Sequence, residues 1–356
     1  MSGNVFGELF RLSTYGESHG PGLGGVIDGC PAGLPLDETM IQAELDRRKP
    51  GQGPASTARR ESDRVRLLSG VFQGVTTGTP IGFHIANEDQ RSGDYSEISR
   101  VFRPGHADFG FHAKFGLRDY RGGGRSSGRE TVARVVGGAV ARRLLEMQGV
   151  TVQARTVELG GIPAAQGEED GWDAVLEQPF FAPGPLSASR WRERVMQVRQ
   201  AGDTVGGVVE VRAQGVPPGW GEPVFGKLDA RLAGALMSVG AVKGVEIGAG
   251  FAAARLLGSE NNDAMTRHGF ASNRAGGVLG GISSGQDILA RVAVKPIPSI
   301  ALEQRTVTTQ GAETSIRIGG RHDISAIPRI VPILGAMAAL VLADLLLLDR
   351  RLGRER

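Results

Sequence analysis

The stretch Gly122-Gly123-Gly124-Arg125-Ser126-Ser127-Gly128-Arg129-Glu130 joins a glycine turn to a long helical pattern. Successive glycines accept positive φ and let the backbone approach a ligand closely, because no Cβ intervenes. From Arg129 onward, Val132, Val135, Val136, Ala139, Val140, Leu144 and Leu145 recur at helical spacing until Gly149 stops the run. Two hydroxyls and two guanidinium groups therefore gather at a helix N-terminus, where unpaired N–H groups and the helix dipole favour an anion. Arginine adds a planar fork that grips a phosphate through two hydrogen bonds at once. The reading is a site for a phosphorylated ligand; the alternative is an arginine-containing loop leading into an N-capped helix.

Outward from this turn, strand patterns lie at 6–12, 24–28, 65–72, 80–86, 150–158, 205–212 and 288–295. Helical patterns lie at 37–48, 130–148, 187–200, 227–239 and 328–349. Strands and helices mix without strict alternation, so the fold class is α+β rather than a doubly wound α/β sheet. No repeat or low-complexity linker divides the chain, and residues 1–356 read as one domain. The segment 160–185 is rich in proline, glycine and acids and reads as a surface excursion. The connection 86–128 is too long for ordinary linkage and points to function.

Composition narrows the field. The net charge is only +3, and five of the 41 basic residues are lysine, so arginine forks predominate. Arginines scattered among acids do not form the basic stripe of a nucleic-acid binder. A single cysteine, Cys30, excludes an internal disulfide and a thiolate metal site. The opening Met1-Ser2-Gly3-Asn4 carries no basic or apolar leader, so a cytoplasmic protein is the expectation. The run 330–348 is long and apolar enough to span a membrane, but Pro332, Gly335 and Asp344 favour a core helix.

Several loops carry chemistry. Gly16-Glu17-Ser18-His19-Gly20 sets a histidine and a serine between glycines after the first strand, where an imidazole suits acid–base work or a plain loop hydrogen bond. Gly20-Pro21-Gly22-Leu23-Gly24-Gly25 formally matches a dinucleotide fingerprint, but a strand follows it rather than a helix, and the match is discarded. Arg103-Pro104-Gly105-His106-Ala107-Asp108 offers a second loop histidine. His84 alternates within a strand and reads as structural, while His112 and His268 lack supporting neighbours. Arg321-His322-Asp323 pairs a carboxylate with an arginine, too little for a metal site but enough for a base. Arg47-Arg48-Lys49 crowds cations at a helix end, as an anion site or as solvated partners of the dipole. Lys295-Pro296-Ile297-Pro298-Ser299 forms a stiff extended edge suited to a flat ligand.

Taken together, the blocks 16–20, 103–108, 120–130, 242–248, 276–285 and 321–323 resemble the chorismate synthase family over nearly the whole chain. The resemblance implies a β-α-β sandwich assembled as a homotetramer. It implies anti-1,4 elimination of phosphate from 5-enolpyruvylshikimate 3-phosphate to give chorismate, the last common step toward the aromatic amino acids. The family requires reduced FMN (FMNH2) although no net redox change occurs: the hydrogen lost is poorly acidic, and a transiently donated electron eases phosphate departure. By matching motif positions, His19 protonates the departing phosphate or pairs with it as a cation. His106 governs flavin protonation, and Asp323 assists proton removal through the flavin N5. Arg125, Ser126, Ser127, Gly240, Ala241, Gly280, Lys295, Pro296, Ile297, Pro298, Ser299 and Arg321 bind the flavin, while Ser18, Arg48 and Arg129 bind substrate.

Three positions depart from the family pattern. An arginine usual shortly after Arg48 is replaced by Pro54, so Arg59 or Arg60 substitutes for it or the contact is absent. Gly128 stands for a commoner alanine, and Gly240 for a frequent asparagine. Some relatives reduce their own flavin with NADPH; without a recognisable extra insertion, the expectation is dependence on an external flavin reductase or NADPH system. The competing readings are a nicotinamide oxidoreductase, which would oxidise its substrate, and a nucleic-acid binder, whose retention on DNA would be salt-sensitive.

Overall fold

The computed structural model describes residues 3–49, 55, 62–88, 98–318 and 322–353. Two five-stranded antiparallel sheets enclose a helical layer. The first sheet runs in the order Val5–Phe6, Arg11–Gly16, Gly22–Asp28, Ile81–Ala86, Val65–Leu67. The second runs Val242–Ile247, Ile288–Val294, Gly207–Gln214, Thr151–Leu159, Ile162–Pro163. Helices α1 (Glu38–Arg48), α3 (Thr131–Glu146) and α7 (Ile327–Arg351) lie between them. Helices α2 (Asp108–Phe115), α4 (Pro185–Gln200), α5 (Leu228–Met237) and α6 (Gly258–Asn261) complete the set among the described residues. This is an α+β architecture.

Alternation along the strands gives each sheet one apolar face. In Ile81–Ala86, Ile81, Phe83 and Ile85 are fully buried, and in Ile288–Val294 the even-numbered residues turn inward. Helix α3 bridges the layers at Gly137, whose Cα faces Leu12 of the first sheet and Leu340 of α7. At the next residue, Gly138, a methyl group would overlap Ala336, so α3 and α7 cross where neither presents bulk.

Helix α7 is the long apolar run, and 94% of its most hydrophobic window is buried inside the protein. Its acid, Asp344, is 3% exposed and accepts hydrogen bonds from the backbone amides of Glu8, Leu9 and Phe10. Arg231 lies 3.3 Å from the same carboxylate. These amides account for a difference from the sequence reading. The strand expected at 6–12 is two strands, Val5–Phe6 and Arg11–Gly16, separated where the chain turns its N–H groups onto Asp344. Among the described residues, the long connection at 86–128 contains α2 and the 3-10 turns Ile98–Arg100 and Gly124–Ser126, and a further one, Gly128–Glu130, begins at its end.

Candidate active site

Gly122, Gly123 and Gly124 all have positive φ, which bends the chain sharply before α3. The turn presses against the histidine loop at 16–20: a methyl group on Gly122 would overlap the His19 ring. Ser18 Oγ lies 3.2 Å from His19 Nδ1, so a serine proton given to Nδ1 leaves Nε2 as the donor. Asp119, tied to Arg121, sits in the electrostatic reach of His19, and its carboxyl lies below the usual range because the Arg121 bonds outweigh burial.

The second histidine is built from three distant segments. His106 Nε2 lies 3.0 Å from Ser299 Oγ, and Lys295 Nζ donates to the Gly105 carbonyl at 2.7 Å. Arg103 grips Asp108 with two nitrogens at 2.8 Å each, and Arg118 holds the same carboxylate at 3.0 Å. His106 is pushed down to about 4, chiefly by burial and then by Arg103, with Asp108 opposing and Lys295 and His322 adding to the depression. It is therefore a neutral imidazole at neutral pH. The Lys295 ammonium is also lowered, by burial first and by Lys243 second. A second ammonium near enough to lower Lys295 suits the approach of an anionic ligand.

The two histidine clusters meet at the glycine turn. Gly122 abuts His19, while Gly123 faces an Arg103 nitrogen across 3.8 Å from where its Cβ would stand. Asp323 pairs with Arg329 at 2.8 Å, and its neighbour His322 is close enough to His106 to influence its titration. Lys295 N donates to the Ala241 carbonyl at 2.9 Å, drawing the 240–241 turn to the 295–299 edge. Gly240 has open space where a side chain would begin, as does Gly280. Gly280 lies in the hairpin of Val278–Leu279 and Ile282–Ser283, which pairs with the start of α5 rather than with the histidines.

The arginines divide. Arg125 turns inward and donates to Gly16 O, Asn4 Oδ1 and Thr14 Oγ1, pinning the glycine turn to the first sheet. Arg48 is 1% exposed; its nitrogens meet Thr131 Oγ1, Asp63 and the Gly128 carbonyl. Arg129, 8% exposed, donates to the other Asp63 oxygen at 2.6 Å and to Asn87. Ser126 Oγ bonds Gly123 O, and Ser127 Oγ accepts from Arg129 N. Arg47 and Lys49 pair with Glu44 and Asp46 on the helix surface. Arg321, Pro54, Arg59 and Arg60 lie outside the described residues.

Comparison with known proteins decides the family. The chorismate synthase family model matches residues 10–347. The chain belongs to the chorismate synthase family. A chorismate synthase of Oleidesulfovibrio alaskensis is 67% identical over 357 residues, covering 100% of both chains. One from Maridesulfovibrio salexigens is 67% identical across 99% of this chain and 100% of its own. A crystal structure of a chorismate synthase superposes with a TM-score of 0.78 at 33% identity, covering 97% of this chain and 93% of the other. The activity is that of a phosphate-eliminating carbon–oxygen lyase of the shikimate pathway, acting on 5-enolpyruvylshikimate 3-phosphate, in a family that uses a reduced flavin.

Within the chorismate synthase frame, three residues escape the sequence reading, Asp63, Asn87 and Arg118, and Asp108 stands in its loop there without a role. Each of the three is polar and sits among residues whose only visible signal is distance from the motifs. Asp63 carries one trace, a left-handed φ of 45° at a buried acid, which only coordinates reveal. The remaining histidines do structural work. His84 stacks on Tyr15 at 6.4 Å, His112 packs on Phe102 at 5.4 Å, and His268 accepts from Arg267.

Proposed function

We propose that this chorismate synthase family member works with reduced FMN and divides its proton handling between two histidines. The observation supporting this reading is the glycine turn, which touches His19 on one side and faces Arg103 of the His106 cluster on the other. Reduced FMN, when bound, supplies an electron transiently to help expel phosphate. The fit rests on the open space at Gly240, the Lys295 ammonium lowered in part by Lys243, and the segment of Lys295, Pro296, Ile297, Pro298 and Ser299, which Lys295 ties to Gly105 and Ser299 to His106. Those residues, with Ser126, Ser127 and Ala241, would hold the cofactor; Arg125 shapes the turn that carries the two serines. Gly280 and Arg321 complete the proposed set.

His19 holds a proton at Nε2 for the departing phosphate, with Ser18 fixing the ring. His106, neutral and held by Ser299, would handle a proton beside the bound flavin, and Asp323 would assist proton removal. Arg129 attracts the substrate anion, with Arg48 braced behind it. The reading includes a single domain spanning 1–356, a homotetramer, a cytoplasmic setting and an external source of reduced flavin.

An anaerobic assay with chemically reduced FMN and the enolpyruvyl substrate tests it. Chorismate and inorganic phosphate are expected in equal amounts, with none formed when FMN is omitted. Formation without flavin, or net oxidation of substrate, overturns the proposal.

A further inference from the structure

The His19 loop is held from an unexpected quarter. Residues 17–20 form a tight turn in which Gly20 N donates to the Glu17 carbonyl at 3.1 Å. Asn87, at the exit of the Ile81–Ala86 strand, brackets that turn. Its Nδ2 donates to the Glu17 carbonyl at 3.0 Å and to the Gly20 carbonyl at 2.7 Å, and its own N–H reaches the Pro21 carbonyl at 3.1 Å. Its Oδ1 accepts from Arg129 Nε at 2.6 Å. Two carbonyls on one side and a guanidinium on the other fix which end of the amide is nitrogen. Arg129 is held in turn by Asp63, which also holds Arg48.

We propose that Asn87 is a positioning residue for His19, set in place by the buried chain Arg129–Asp63–Arg48. Two hydrogen bonds from the Asn87 amide hold the turn in which His19 is the third member, a third from its backbone holds Pro21 just beyond, and Gly122 abuts the His19 ring. A proton donor displaced by about 1 Å loses on the order of a hundredfold in rate. The proposal rests on the reading of His19 as the proton donor to phosphate.

Asn87→Asp is the direct test. It keeps the shape and the Arg129 contact but turns two donors into acceptors facing carbonyls. Asp63→Asn is the second variant; asparagine tolerates a left-handed φ at least as well as aspartate, so the backbone is spared while the charge and one of the two acceptors facing the arginines are lost. Each is made with native His19 and with His19→Ala, and kcat, KM and FMN affinity are measured. The expected result is a fall in kcat of roughly tenfold or more in the native background, little further fall beside His19→Ala, and FMN affinity within about twofold. Equal losses in both backgrounds, or unchanged kcat in both variants, overturn the proposal. If His19→Ala alone keeps near-normal kcat, it is the underlying reading of His19 that fails.

Discussion

The imidazole of His106 and the hydroxyl of Ser299 meet at 3.0 Å although 193 residues separate them in the chain. The ring lies largely buried, within reach of Arg103, Lys295 and His322 and of the Asp108 carboxylate. A histidine taken down from 6.5 to about 4 on folding binds its proton more readily in the unfolded chain. Its contribution to stability is complete above the upper value and lost as pH falls through the window. The loss approaches about 3 kcal/mol near the lower value. Urea unfolding near pH 7 and near pH 4 should show His106→Asn losing less stability than the native protein.

Turnover tests the histidines separately. His19→Ala and His106→Ala should each reduce kcat by about a hundredfold or more, with FMN still bound, as for lost proton-transfer groups. Near-native rates in both would refute the assigned roles.

Two glycines in one turn give a contrast. Gly122→Ala forces a side chain onto the His19 ring at a φ of +67°, so chorismate formation should collapse. Gly128→Ala meets nothing within 4 Å and should leave activity and melting temperature unchanged. A damaged Gly128→Ala enzyme would show that the turn is read wrongly.

Asp344→Ala removes the acceptor of three backbone amides and one of the two carboxylates that Arg231 pairs with, Glu8 being the other. Removing one side of a buried charged network costs about 3–5 kcal/mol. Denaturant midpoints at constant slope would measure it, and a loss below about 1 kcal/mol contradicts the network's importance.

The source of electrons is a separate question. Under air, with NADPH and FMN but no reductase, the protein should form no chorismate. Turnover in that mixture would reveal an intrinsic flavin reductase activity.

Much of this was legible in the chain. The α3 pattern, the two histidine loops and the 295–299 edge each rest on local signals: spacing, glycine and proline. What stayed hidden depends on distant partners. The strand at 6–12 looks continuous until Asp344, more than 330 residues away, claims its middle amides. Val242–Ile247 is a sheet strand concealed in a glycine-rich stretch, and the hairpin of Glu303–Val307 and Glu313–Arg317 lacks the inward apolar row that marks a strand. Arg47-Arg48-Lys49 reads equally as an anion site or as a solvated helix end, and local pattern does not tell that the fold turns Arg48 alone into the interior. Asn87 and Asp63 carry no motif; their roles arise from what the topology sets beside them.

The grip of Asp344 on Glu8, Leu9 and Phe10 also sets an order of events during synthesis. The opening strands emerge from the ribosome more than three hundred residues before the carboxylate that satisfies their amides. Until α7 is released, that corner of the first sheet must remain hydrated, so its native closure awaits residues more than three hundred positions downstream. A polypeptide interrupted shortly before 344 would be left with an unfinished seam at residues 8–10.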